Sequence, residues 1–466
     1  MSSNHTSRWA AALKRSEGPA YMAIADAIAA DIQSGQLTAN QKLPTLRVLA
    51  TALDLNFTTA ARGYAEAQRR GLLAARPGVG TVVREQVRAD PVRRPQASSL
   101  IDMTMNMPPE PRDAALIERF RDGLASLQRA DPYDLLRYQE FGGSHEDRAA
   151  GVRWLAPRLP ELVTQRVLVC PGVQGALLAL FTILARAGDA IACEAVTYPG
   201  IKGIATHLGI KLIGLPIDDQ GIDPEAFGAL CAADPPKALY CNPTLLNPTC
   251  ATMSLQRRQA IVDIARRHAV PIIEDDAYGF LPAQSPPPLA ALAPELTFYI
   301  TGFAKHLGAG LRIAYLCTPN VRYTARVQAT LRTTSVMASP PMITLATRWI
   351  DDGTVVAATS AIREESRHRQ DIARRVLKQA QYVAHPEAFH LWLSVPQPWN
   401  RIEFAAHLRS HGVGVVVSDT FTVSGGAPEA VRVCLGGASS REDCQHSLEI
   451  IEDAIEQHPT LASRVM

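Results

Sequence analysis

No uninterrupted run of about 18 apolar residues occurs in the chain, so no membrane-spanning helix is expected. Paired cysteines are missing too. The eight cysteines stand singly, at 170, 193, 231, 241, 250, 317, 434 and 444, with no Cys-x-x-Cys among them. That spacing argues against a zinc site and against a disulfide framework, so no metal is assigned and a reducing cytoplasm is the expected setting. The opening residues, Met1 to Arg8, lack the apolar core of a secretory signal. There is no internal repeat, no low-complexity tract and little net charge, +2 over 466 residues. What is present is 47% apolar and 20% charged, the profile of a globular protein rather than a disordered one. A chain of this length exceeds one ordinary core, so two or more domains are expected.

The near-neutral total hides an imbalance. Residues 1–88 carry 11 Lys and Arg against 6 Asp and Glu, an excess that suits a polyanionic partner. The pattern there predicts a helix over Tyr21–Gly35, with Ile24, Ile28 and Ile32 on one stripe. A second short helix opens after Leu43-Pro44-Thr45, with Thr45 placed to cap it. It turns Leu46, Leu49 and Leu53 inward and leaves Arg47 outside. The turn Asp54-Leu55-Asn56 leads to a third helix over Phe57–Arg70, ended by Gly71. Leu72–Val83 reads as a hairpin with its tip at Arg76–Gly80.

Two short helices about a tight turn, then a basic hairpin, make a winged helix-turn-helix. A helix fits a major groove and its first turns reach base edges; here they offer Thr58, Thr59 and Arg62. Arg47 and Arg76 are placed to hold phosphates, and Gly78 in the wing allows close backbone approach. On pattern alone, a small helical domain that binds protein is the competing reading. The residues Leu43-Pro-Thr-Leu-Arg47, Leu49-Ala-Thr-Ala-Leu53, Thr58-Thr59, Tyr64 and Gly71-Leu-Leu-Ala-Ala-Arg-Pro-Gly-Val-Gly-Thr-Val-Val83 resemble the GntR-type winged helix. That resemblance implies a double-stranded DNA operator as partner.

Pro-rich, patternless sequence follows, including Asp90-Pro-Val-Arg-Arg-Pro95 and Pro108-Pro109-Glu110-Pro111, so residues 89–111 read as an extended linker. From 112 to 466 helical patterns alternate with short apolar runs: 166–170, 190–193, 211–215, 238–241, 271–274 and 298–301. This predicts an α/β domain with a mostly parallel, buried sheet.

Within it, Lys305 lies in a Gly-rich loop after an apolar run, seven residues before Arg312. A desolvated lysine can form a Schiff base with an aldehyde, and a nearby arginine can neutralise a phosphate. Pyridoxal 5′-phosphate (PLP) carries both groups. It also needs a carboxylate at its ring nitrogen. Pro271-Ile-Ile-Glu-Asp275-Asp-Ala-Tyr278 ends an apolar strand in acids, where α/β sheets bind ligands. Asp275 suits the ring nitrogen, and Tyr278 and Asn247 suit the ring hydroxyl. Cys170-Pro-Gly172-Val-Gln174-Gly175-Ala176 leaves a strand and opens a helix, a natural phosphate seat.

The order of these motifs resembles fold type I, aminotransferase-like PLP domains. By that resemblance Lys305 is the Schiff-base lysine, and Arg312 with the backbone at Val173 and Gln174 holds the phosphate. Tyr138 looks like the tyrosine lent by the other subunit of a head-to-tail homodimer. Tyr198 sits where an aromatic packs near the ring, and Arg432 matches the arginine that takes a substrate carboxylate. The resemblance implies a large subdomain at about 155–325 and a small one at about 326–466. Departures are Gly302 and Ala304 where the family has serines, Cys250 for a glycine and Ala309 for a proline. Thr301 is expected to compensate for one lost hydroxyl. His306 and His390 are read as packing residues.

A GntR-like head fused to such a domain resembles the MocR family of PLP-dependent transcription regulators. The resemblance implies a cytoplasmic protein that senses an amino acid or amine through aldimine chemistry at Lys305. A working aminotransferase carrying a DNA-binding head, and a regulator that has lost its cofactor, stay open as alternatives.

Overall fold

The computed structural model describes residues 6, 8–10, 12–13, 18–34, 36–38, 40–76, 80–83 and 100–456. The chain divides into two compact units, Met1–Ala97 and Ser98–Met466.

In the first unit, helices span Ala20–Gln33, Leu46–Leu53 and Phe57–Arg69. Thr45 and Asn56 cap the second and third, each accepting a backbone N–H with its side chain. Asp54 takes a left-handed conformation and so turns the chain between them. Ile24 and Ile28 are fully buried, as the stripe requires. The third helix crosses the first at Gly63, where a Cβ would lie 2.9 Å from Ile24. Strands β1 (Leu73–Arg76) and β2 (Gly80–Val83) pair antiparallel from Leu73 with Val83 to Arg76 with Gly80. Lys42 bridges to Val82 and widens the wing. Gly78 lies outside the described residues.

The second unit opens with β3 (Ile101–Asp102). Its central sheet collects β4 (Val167–Cys170), β5 (Ala190–Glu194), β6 (Lys211–Leu215), β9 (Leu239–Cys241), β10 (Ile272–Asp275), β11 (Thr297–Gly302) and β12 (Ala314–Cys317). A small hairpin, β7 (Ile217–Asp218) with β8 (Gly221–Ile222), lies outside that sheet. The seven strands run in the order β4-β12-β11-β10-β9-β5-β6. β12 is antiparallel to both neighbours and the remaining pairs in the sheet are parallel. The inner strands are buried along nearly their whole length, as their apolar runs demand, while β6 at the sheet edge buries only Leu215 fully. A second sheet is built from β13 (Tyr382–Ala384), β14 (His390–Ser394), β16 (Val416–Val417) and β17 (Ala430–Cys434), ordered β13-β14-β17-β16. β15 (Val413–Gly414) pairs in parallel with β3.

One expected boundary moves. The stretch read as linker to 111 packs from Ile101 onward. Ile101 donates to Gly412, and Met103 to Gly414, at 2.7 and 3.0 Å. At Gly436 and Gly437 an added Cβ would collide with the carbonyls of Met107 and Asp102. The prolines of 108–111 mark a chain pressed against a distant glycine surface, which local composition does not distinguish from free chain.

Candidate functional site

In a parallel sheet the carboxyl ends of the strands lie along one edge. β5, β9, β10 and β11 bring Glu194, Asn242, Asp275 and Lys305 to that edge. Three acids succeed one another at 274–276, and strand alternation separates them. Glu274 accepts from the backbone of Leu289 and Ala290, at 2.9 and 2.8 Å. Asp276 pairs with Arg158 at 2.8 Å and accepts from Tyr299. Asp275 differs in having no ion-pair partner among the described residues: Oδ2 accepts from Tyr240 at 2.9 Å, while Oδ1, like Oδ1 of Asp276, is buried with no donor. Desolvation pushes its pKa up to about 6, against the pull of Tyr240. A buried acceptor without a donor is what a protonated ring nitrogen would satisfy.

Lys305 ends a short turn, Phe303–Lys305, directly after β11. Its ammonium makes no ion pair among the described residues and donates to the Asn106 carbonyl. It lies 5.7 Å from the centre of the Tyr278 ring. Desolvation pushes its pKa down to about 8. The family serine is missing at 302 for a reason visible here. A Cβ at Gly302 would sit 2.8 Å from the Ile313 carbonyl, because β12 runs alongside.

The helix Gly172–Leu184 starts beneath Arg312. A Cβ on Gly172 would meet that guanidinium at 3.2 Å. Arg312 is exposed, and its guanidinium makes no hydrogen bond or ion pair among the described residues. It therefore stands free beside the unpaired N–H groups of Val173 and Gln174. The Gln174 amide donates to Tyr198 at 2.7 Å, tying that ring to the helix head. Thr301 must be withdrawn from the phosphate set. It is fully buried, and its hydroxyl donates to the Asp276 carbonyl at 3.1 Å.

Arg432, on β17, is buried. Nη1 donates to Asn247 Oδ1 at 2.9 Å, Nη2 donates to the Thr104 carbonyl, and Nε has no partner. Asn247 thus faces Arg432 with its oxygen. Tyr278 accepts from the Asn106 amide at 2.8 Å. Tyr138 is 81% exposed and takes no part in its own chain's site. His306 packs edge-on against Trp154 and Phe280. Burial pushes the pKa of His306 to about 4 and that of His390 to about 3.

Four residues at the site escaped the sequence reading. Asn242 accepts the Asn247 N–H and donates to the Asp275 carbonyl, so it couples two predicted positions. It stands in an Asn-Pro-Thr that precedes a second Asn-Pro-Thr by five residues, a repeat that gave a usable signal. Tyr240, Thr104 and Asn106 had none.

In the first unit Arg47, Thr58, Arg62 and Arg76 are exposed and Thr59 is half-buried. Arg69 and Arg70 are neutralised by Glu66, and Arg70 also by Asp26. Arg47, Arg62 and Arg76 have no such partner among the described residues. Arg62 lies over the Tyr21 ring at 4.3 Å, and Arg76 donates to Asn40 at 2.8 Å.

The donor set fits PLP on grounds independent of resemblance. Asp275 offers an unfilled acceptor, Lys305 a desolvated amine, and Arg312 an unengaged guanidinium above a helix head.

Compared with known proteins, residues 98–451 match the model of the aminotransferase class I and II family. Residues 20–83 match that of the gntR family of bacterial regulatory proteins. The uncharacterized HTH-type transcriptional regulator YdeF of Bacillus subtilis is 28% identical over 452 residues, 96% of this chain and 97% of that one. The probable rhizopine catabolism regulatory protein MocR of Rhizobium meliloti is 28% identical over 65% of this chain and 66% of its own. Among solved structures, LysN, the alpha-aminoadipate aminotransferase of Thermus thermophilus, superposes with a TM-score of 0.71 at 20% identity. It covers 79% of this chain and 96% of that one, a likeness of fold.

Proposed function

Since the chain belongs to the aminotransferase class I and II family and carries a GntR-type head, the arrangement of MocR-type regulators, we propose that it is a PLP-dependent transcription regulator sensing an amino acid or amine. The observation that carries this reading is the convergence of Lys305 and the donorless Oδ1 of Asp275 at one sheet edge.

PLP, when bound, supplies an aldehyde that amines attack and a ring that withdraws electrons from it. Lys305 contributes an amine of which about a tenth is uncharged at pH 7, given a pKa of about 8. Asp275 holds a proton at the ring nitrogen. Tyr278 and Asn247 orient the ring hydroxyl, and Tyr198 packs beside the ring. Arg312 and the helix head at Val173 and Gln174 hold the phosphate. Arg432 takes the effector's carboxylate. In the head, Thr58, Thr59 and Arg62 read bases while Arg47 and Arg76 hold phosphates.

Tyr133, Leu136 and Tyr138 are 68, 79 and 81% exposed, an apolar surface that suits a second copy of the chain. A head-to-tail homodimer lending Tyr138 to its neighbour accommodates it. No helix among the described residues is long and apolar enough to cross a membrane. A DNA partner suits a cytoplasmic protein.

The test is an absorbance titration of the full chain with PLP and then amino acids and amines, paired with DNA-binding measurements. Lys305→Ala is expected to lose the visible band of the lysine-linked cofactor; a persisting band sinks the assignment. Net conversion of an amino acid to its oxo acid would favour a working aminotransferase instead.

A further inference from the structure

The side edge of a guanidinium, Nε with Nη2, is a two-pronged donor matched to a carboxylate. In Arg432 that edge is half used. Nη2 donates to the Thr104 carbonyl and Nε, buried, has no partner, while Nη1 on the opposite edge is committed to Asn247. A single carbonyl oxygen leaves one prong unmet where a carboxylate would meet both. The same short segment touches two more residues of the site. The Asn106 carbonyl accepts from Lys305, and the Asn106 amide donates to Tyr278 at 2.8 Å. Its side-chain oxygen lies 3.4 Å from the Cys434 thiol.

We propose that the segment Thr104–Asn106 is a built-in occupant of the effector site, held on Arg432 by the Thr104 carbonyl and, until the cofactor takes up that amine, on Lys305 by the Asn106 carbonyl, and displaced by an effector's carboxylate. Asn106 is the positioning residue that seats it. The inference rests on the sensor reading above, in which Arg432 receives that carboxylate.

Displacement is favoured by charge. The carboxylate offers a buried arginine an anion in place of a neutral dipole and fills the unmet Nε. The consequence runs along the chain toward the head. Thr104 is tied to Asp102 by its N–H, at 2.9 Å to the Asp102 carboxylate. Asp102 ends β3, a strand of two residues and the first element of the unit that begins at Ser98. An amine lacking the carboxylate reaches Lys305 without lifting Thr104, so acid and amine effectors are separable by this one contact.

Amide exchange of the peptide spanning residues 100–108 tests it, in the full chain loaded with PLP. The probes are the common L-amino acids and their decarboxylated amines, each followed by the visible band as well. An amino acid that alters the band is expected to speed exchange in that peptide roughly tenfold, the equivalent of one lost hydrogen bond to a charged group. Its decarboxylated amine alters the band and leaves exchange unchanged. Unchanged or slowed exchange with a band-altering amino acid overturns the proposal. A ligand-free arm separates this from the sensor reading. Arg432→Gln removes the donor to Thr104, and Asn106→Ala removes the tie to Tyr278. Either variant should speed exchange of the same peptide roughly tenfold, with exchange in the seven-stranded sheet reporting that the fold is kept. Native-like exchange at 100–108 in both variants overturns the proposal even where no amino acid alters the band, the separate result that overturns the sensor reading.

Discussion

Asp275 should destabilise the cofactor-free protein, and the cost should depend on pH in a defined direction. Its pKa in the folded chain is raised from an ordinary 3.8 to about 6 by desolvation first, with Asp276 adding to it. A carboxyl with a raised folded-state pKa holds its proton more tightly in the native state than in the unfolded one. The native state is therefore unpenalised below pH 4. It loses stability as pH rises through the window from about 4 to about 6, and carries the full cost above it. A pKa raised by about two corresponds to ~3 kcal/mol, at ~1.4 kcal/mol for each tenfold change in proton affinity.

Asp275→Asn removes the titration. The buried amide brings a fixed cost of its own, so the absolute difference between the proteins is not diagnostic; the change of that difference with pH is. Urea unfolding of both PLP-free proteins, followed by tryptophan fluorescence at a series of pH values, should show the variant gaining ~3 kcal/mol on the parent between pH 4 and pH 7. Curves that stay parallel across that window refute the argument that Asp275 is an uncompensated buried acid. Adding PLP should reverse the order. The variant lacks the anion at the ring nitrogen and should bind PLP roughly ten- to a hundredfold more weakly, one hydrogen bond to a charged group.

Three further outcomes follow from the geometry. The rate at which Lys305 captures PLP should rise with pH to a midpoint near 8, because the folded chain lowers the lysine pKa and only the neutral amine reacts; a midpoint near 10 contradicts the burial argument. Arg76→Ala should weaken binding to all duplexes about equally and reduce the slope of log affinity against log salt by about 1, as for one lost phosphate contact; a sequence-selective loss would make Arg76 a base reader. Gly302→Ser, which restores a family serine, should cost about 1–3 kcal/mol by thermal unfolding, since its Cβ falls 2.8 Å from the Ile313 carbonyl; a gain in PLP affinity without loss of stability would show that β12 yields.

What was legible in the sequence was whatever local pattern controls. The three head helices and six strands of the central sheet lie within a residue or two of where periodicity puts them. Mostly apolar runs of four or five residues have few other solutions in an α/β domain with a parallel sheet. Asp275 could be preferred over its neighbours because strand alternation separates 274 and 276 from 275. Long-range packing was not legible. Thr301 was assigned to the phosphate by its nearness to Lys305 in the chain, yet its hydroxyl answers a carbonyl on the loop after β10. Gly302 looked like a loss of function and is better explained by the approach of β12. Asn106 and Thr104 were placed in a linker because prolines follow them. Their partners lie about 170 to 330 residues away in sequence.

A buried polar atom without a partner is not by itself a binding site. The described residues hold several, including the indole nitrogen of Trp349 and the hydroxyl of Thr297. Trp349 stacks edge-on with Phe120 in an apolar cluster, and nothing charged converges there. The carboxylates of Asp276 and Glu452 also leave one buried oxygen unmet. Asp275 Oδ1 and Arg432 Nε are different because neither group has an ion-pair partner among the described residues, their other atoms are satisfied, and both charges act on Lys305. Each is also linked to Asn247, directly or through Asn242. Leaving an anion and a cation each one bond short, close to a desolvated lysine, costs a chain that never binds anything several kcal/mol by the usual scale for unmet buried polar groups. That cost is offset when a ligand brings a proton donor to one and a carboxylate to the other. These two unmet bonds beside Lys305 are what support the proposed ligand chemistry: a cationic ring nitrogen beside Asp275 and an anion on Arg432.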